Sequence, residues 1–85
     1  MAAYSAINGV PSAASTWLLQ SLLRNSWGSD AYVIGDWGAV DGIYTQHHYS
    51  ASAVDAVVDA VTAGVQNVCD ATPSLRVVAA GVVVC

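Results

Sequence analysis

The sequence has no Lys, no Glu and no Phe, and charge of either sign is scarce. Arg24 and Arg76 stand against six acidic residues, all Asp, for a net charge of −4. That balance leaves no phosphate-binding patch and excludes nucleic-acid recognition through a basic face. Only 9% of residues are charged while 55% are hydrophobic, the reverse of a disordered chain. Long apolar runs are missing too. The longest, residues 77–85, is about half of the roughly 20 residues a bilayer-spanning helix needs, so no membrane span is expected. Residues 1–5 carry no basic n-region ahead of an apolar run, so no signal peptide is expected at this end. Cysteine is limited to Cys69 and Cys85. Those two could pair, but they make no disulfide framework and no metal-ligand spacing, and small buried apolar residues are the simpler reading.

What is present is an interior-like composition in 85 residues, too short a chain to have much interior. The expectation is a piece of something larger.

Punctuation divides the chain into alternating elements. Residues 3–7 read as a short buried strand, ended by the turn signal Asn8-Gly9 and Pro11. Ser12 or Ser15 then caps a helix to about Ser26, with a wide apolar stripe of Trp17, Leu18, Leu22 and Leu23, joined by Leu19 and Ala14. Arg24 suits the negative end of that helix, and Gly28 stops it. Residues 31–34 read as a strand covered on both faces, closing on Gly35-Asp36-Trp37-Gly38. Residues 39–50 read as a loop. Ser52 with Asp55 resembles a capping box for a second helix, with Val54, Val57, Val58 and Val61 as its core stripe and Gly64 as its C-cap. Residues 65–68 suggest a third strand. Thr72-Pro73 breaks the chain before a helix stub at 74–80 and an apolar tail at 81–85.

Strand, helix, strand, helix and a further strand imply parallel β/α units, in which functional residues collect beyond the carboxyl ends of strands. Two places qualify, the loop after Ile7 and the turn holding Asp36. A carboxylate between glycines at a buried strand end is placed as a nucleophile or general base needs. The same Gly-Asp-x-Gly pattern also serves as plain turn chemistry. Asp30 and Asp41 read as solvated loop acids. Trp27, Trp37, Tyr44 and Tyr49 could stack on sugar rings or pack in a core. His47-His48 invites a metal reading, but no third ligand stands at a recognised spacing, so loop or packing histidines are favoured and no metal is expected.

Several motifs then fall in order: Met1-Ala2-Ala3-Tyr4-Ser5-Ala6-Ile7-Asn8-Gly9-Val10-Pro11, Leu18-Leu19 to Leu22-Leu23-Arg24, Trp27-Gly28, Tyr32-Val33 and Asp36-Trp37-Gly38-Ala39-Val40. Together they resemble family 3 glycoside hydrolases over residues 1–70, with a fainter continuation at 75–83. The resemblance implies an α/β fold, a partial (β/α)8 barrel of about two β/α units, with 71–85 a diverged apolar tail. It implies a retaining β-glycosidase acting on a β-linked oligosaccharide or glycoside, without cofactor, through a covalent glycosyl-enzyme intermediate. Carried over by position, Asp36 matches the catalytic nucleophile. Trp37 matches the aromatic walling the sugar, Tyr4 the tyrosine near the nucleophile, and Met1 the methionine at a sugar-binding strand end. The segment 43–49 looks more like the β-xylosidase than the β-glucosidase branch, and the family implies an extracellular location.

The departures are Ser5 for Asn, Gly35 for Ser, Ser29 for Phe, Ala31 for Gly, and Val65-Gln66 for Thr-Asp. The family's acid/base glutamate has no counterpart in a chain without Glu. The 85 residues by themselves are therefore expected to be catalytically inactive. The alternative from another class is a non-catalytic remnant that self-associates or binds a partner through exposed apolar faces.

Overall fold

The computed structural model describes residues 1–69 and 83–84. The expected chain break at Thr72-Pro73, the helix stub at 74–80 and Cys85 lie outside the described residues.

Three extended segments run parallel, joined by backbone bridges. Ala2 pairs with Gly35, and Ile34 pairs with Asn67. Ala2 N–H donates to the Ile34 carbonyl at 2.7 Å, and Asp36 N–H donates back to the Ala2 carbonyl at 2.8 Å. Gly35 N–H reaches the Asn67 carbonyl at 3.0 Å. The last segment, β3 (Asn67–Val68), continues in parallel register with β4 (Val83–Val84). Helices separate the three bridged segments in sequence, so the molecule is of the α/β class, a small mixture of helices and short strands.

The expected strand at 3–7 is displaced. Its pairing to the parallel segments is made at Ala2, and residues 6–11 instead fold into a hairpin of β1 (Ala6–Ile7) and β2 (Val10–Pro11). Asn8 and Gly9, at φ 51° and 81°, form the two-residue turn that an Asn-Gly pair favours. Local turn chemistry at Asn8-Gly9 outweighed the strand-like composition of residues 3–7.

A 3-10 turn at Ser12–Ala14 leads into a helix at Trp17–Ser26, and Ser15 Oγ accepts from the Leu18 N–H at 3.1 Å. The expected helix is therefore present with Ser15 at its entrance, but it is wound as a π-helix. Of the expected stripe, Leu19 is buried and Leu18 and Leu23 pack against the core, while Trp17 is 55% exposed. Residues 31–34 are covered on one side only, with Val33 buried and Tyr32 exposed. Arg24 does more than complement a helix end. It donates to the Ser29 and Ala31 carbonyls and, from its second nitrogen, to Gln66 Oε1 at 3.1 Å. Gln66 Oε1 also accepts the Val33 N–H at 2.8 Å, so one amide ties the strand, the helix and the β3 approach.

The clearest correction is at residues 39–50. Instead of a loop throughout, they begin with α1 (Ala39–Thr45). Gly38, in the left-handed region at φ 79°, turns the chain into this helix. Val40 and Ile43 are fully buried, and Val40 Cγ2 lies 3.3 Å from where a Cβ on Gly35 would sit.

The second helix, α2 (Ala53–Ala63), starts as expected: Ser52 Oγ accepts the Asp55 N–H at 3.1 Å. It ends at Gly64, whose N–H bonds the Ala60 and Val61 carbonyls. Its inward face takes in half of the valine stripe, with Val57 buried and Val61 packed against the core. Ala56, Val57, Ala60 and Ala63 are buried, whereas Val54 and Val58 are exposed. Alanine lets α2 approach α1 and the Ser12–Ala14 turn closely, and the core is this alanine-rich layer together with Leu19, Val33, Val65 and Val68. Cys69 is disulfide-bonded, which corrects its reading as a free apolar thiol.

Candidate active site

Asp36 follows directly on the bridged residues Ile34 and Gly35, at the carboxyl end of the central parallel segment. Its backbone N–H is held by Ala2, and its carbonyl accepts from Ala39 N–H at 2.8 Å, so α1 begins on the turn that carries the carboxylate. Gly38 N–H closes the other side on the Cys69 carbonyl at 2.9 Å. The half-buried side chain points one oxygen back at the turn: Oδ1 accepts the Trp37 N–H at 2.8 Å. That bond is turn chemistry, and it leaves the second oxygen for other use.

Trp37 is 58% exposed and forms one wall of a depression of about 570 Å³. Tyr4, Asp41, Thr45, Gln46 and His47 line the rest with the backbone around Gly38 and Gly42. This size is within the range of small-molecule sites. Its chemistry is one exposed indole face with a carboxylate, an amide and an imidazole near the rim. Such a surface can stack a sugar ring and bond its hydroxyls.

Of the residues expected at a site, Tyr4, Asp36 and Trp37 come together. Tyr4 Oη donates to the Trp37 carbonyl, tying the first loop to the Asp36 turn. Met1 does not join them. It is 80% exposed and borders a separate apolar groove with Leu18, Leu23 and Val33. Trp27 and Tyr49 are exposed and lie outside the Trp37 depression, as does Tyr44. His47 is a loop histidine: its Nε2 sits 2.7 Å from the Tyr4 carbonyl. Among the described residues no group of three His, Cys, Asp or Glu could hold a metal ion.

Asp41, Thr45, Gln46 and His47 were not foreseen as neighbours of this turn. All four come from α1 and its exit, the helix the residue pattern did not reveal. The spacing of Ala39, Val40 and Ile43, apolar at i, i+1 and i+4, is the signal that could have found it.

The model of the glycosyl hydrolase family 3 N-terminal domain matches residues 1–79. The exo-1,4-beta-xylosidase bxlB of Emericella nidulans is 46% identical over 72 residues, covering 81% of this chain and 9% of that protein. The probable exo-1,4-beta-xylosidase bxlB of Aspergillus flavus is 46% identical over 67 residues, covering 75% of this chain and 9% of its own length. A solved β-glucosidase structure from Erythrobacter marinus superposes with a TM-score of 0.76 at 36% identity, covering 79% of this chain and 9% of that one. The chain thus spans about a tenth of the length of the relatives it matches. With most of its length matched by the family model, the chain belongs to glycosyl hydrolase family 3, in the N-terminal domain.

Proposed function

We propose that this chain is the nucleophile-bearing segment of a retaining β-glycosidase, with Asp36 as the nucleophile and a terminal β-linked xylose as the preferred sugar. In this reading residues 1–70 are about two units of a (β/α)8 barrel wall, and 71–85 are a diverged tail. The observation that carries it is the Asp36-Trp37 turn, set beyond the parallel segments and beside the depression that Trp37 walls. The xylosidase names of the 46%-identical relatives favour xylose over glucose.

The chemistry is a double displacement. A carboxylate oxygen of Asp36 attacks the anomeric carbon as the glycosidic C–O bond breaks and an acid protonates the leaving oxygen. Water then cleaves the glycosyl ester and restores the carboxylate. Trp37 stacks on the sugar, while Tyr4 keeps the turn in place through the Trp37 carbonyl. Met1, next to the bridged Ala2, is the further sugar-binding residue that the family resemblance implies. The acid is not a glutamate of these 85 residues, which contain none. The isolated chain is therefore inactive, and the complete enzyme acts outside the cell, as family resemblance implies.

The test replaces the matching segment of the Emericella nidulans enzyme with residues 1–79. The chimera is expected to hydrolyse an aryl β-xyloside, and the isolated chain is expected to show no hydrolysis above background. Asp36→Gly is expected to lower chimera turnover by at least about 10³-fold. Azide then restores turnover by attacking the face Asp36 vacated, giving the α-glycosyl azide. Full activity without Asp36, or a β-azide product, overturns the assignment.

A second reading has an observation of its own. Trp17 and Trp27 are 55% and 68% exposed, a surface suited to self-association or to a partner chain. Sedimentation of the isolated chain as a stable, cooperatively melting oligomer favours that reading.

A further inference from the structure

We propose that His47 is a positioning residue for the Asp36 carboxylate, acting through Tyr4. This rests on the reading of Asp36 as the nucleophile, and no step of that chemistry requires a histidine. Three contacts form a relay. His47 Nε2 lies 2.7 Å from the Tyr4 carbonyl, which can only accept, so the ring nitrogen is the donor. Tyr4 Oη donates to the Trp37 carbonyl. The Trp37 N–H, at the other end of the same residue, donates to Asp36 Oδ1 at 2.8 Å. The imidazole therefore fixes the Tyr4 backbone, the phenol fixes Trp37, and Trp37 orients the carboxylate.

The backbone delivers His47 to this place. Its own N–H closes on the Gly42 carbonyl at 2.9 Å, at the end of α1. His48 follows in the left-handed region at φ 52°, and Tyr49 N–H returns to Ile43 at 2.9 Å. Of the adjacent histidines, His47 lines the depression and is half-buried, while His48 makes the reversal and is exposed. The pair thus divides its work.

The relay also has a direction. On its strand side the Asp36 turn is held by backbone bonds to Ala2 and Cys69. On the pocket side Tyr4 holds it, and Tyr4 lies in an exposed segment. A donor brought from 43 residues away is what steadies that segment. Positioning matters here because a displacement of about 1 Å at a reacting group can cost about 10²-fold in rate.

The experiment is NMR on the full 85-residue chain and two variants. His47→Gln keeps an N–H donor at comparable reach, and His47→Leu has none. In the unaltered chain, coupling across the hydrogen bond is expected between His47 Nε2–H and the Tyr4 carbonyl carbon. His47→Leu is expected to speed hydrogen exchange of the Trp37 amide about fivefold, the loss of one ordinary hydrogen bond. His47→Gln is expected to hold that rate within about twofold. The Asp55 amide, capped by Ser52, is the control for the fold as a whole and should not change in either variant. If His47→Leu also exposes Asp55, the Gln variant decides: protection of Trp37 supports the relay, and its loss overturns it. An unaffected Trp37 amide in His47→Leu overturns it, as does absence of the coupling or an unprotected Trp37 amide in the unaltered chain. None of these readouts involves turnover, so failure of the nucleophile assignment would register separately, in the chimera.

Discussion

Two depressions among the described residues are built from opposite materials. The one beside Trp37 is rimmed by Asp41, Gln46 and His47, and its walls are tied by hydrogen bonds between loops distant in sequence. The other, of about 360 Å³, is lined by Met1, Ile7, Leu18, Leu23 and Val33, with only Ser5 and Ser12 as polar side chains. The first can recognise hydroxyls and stack a ring. The second offers contact area without direction. The Trp37 depression is thus organised within these residues by polar bonds between loops. The second depression offers a surface for packing. The difference also separates Met1 from Tyr4, Asp36 and Trp37, although all four fall in motifs that resemble one site.

The contrast can be broken from either side, and the largest effect should come from the shared core. Ile43 is fully buried in the core. Ile43→Ala should cost about 3 kcal/mol, read by urea denaturation, and degrade both surfaces together. Gln66→Leu should cost less, about 1.5 kcal/mol, by leaving the Val33 N–H without its acceptor and releasing Arg24. Its exchange footprint should centre on Val33, beside the apolar groove, and spare Trp37. Ser52→Ala should cost about 1 kcal/mol through the lost cap of α2, with the helix signal in circular dichroism reduced before either depression changes. Trp37→Ala should be smallest in stability, within about 0.5 kcal/mol, because the ring is largely exposed. In the chimera it should nevertheless weaken xyloside binding about tenfold, seen as a rise in KM. A Trp37 variant that unfolds the chain would make the ring a packing residue and erase the contrast.

Much of this was legible from residue types, and the failures have physical causes. The Ser52 cap, the Gly64 stop and the Asn8-Gly9 turn each rest on local chemistry and appear where expected. The position of Asp36 beyond a parallel strand was legible too, because alternating strands and helices constrain where strand ends lie. Half of the stripe on α2 was misjudged because valine looks more like core than alanine, yet close helix packing selected the smaller side chain. The helix after Asp36 was hidden by its brevity and by Gly42, a poor helix former in a seven-residue element. With it were hidden Asp41, Thr45, Gln46 and His47, which the fold brings to the depression. The winding of Trp17–Ser26 could not be read from leucine spacing, since a helix stripe looks much the same for neighbouring hydrogen-bond registers. The bond from His47 to Tyr4 spans 43 residues and had no local signature.

The central claim is that Asp36 forms the bond to sugar. The most direct measurement is trapping of the chimera with a 2-deoxy-2-fluoro-β-xyloside bearing a good leaving group, followed by peptide mass mapping. The fluorine destabilises the oxocarbenium-like transition state and slows release of the ester, so the adduct accumulates. One added fluoroxylosyl group is expected on the peptide containing Asp36, absent in Asp36→Asn. Adduct on a different carboxylate, with Asp36 unmodified, would contradict it.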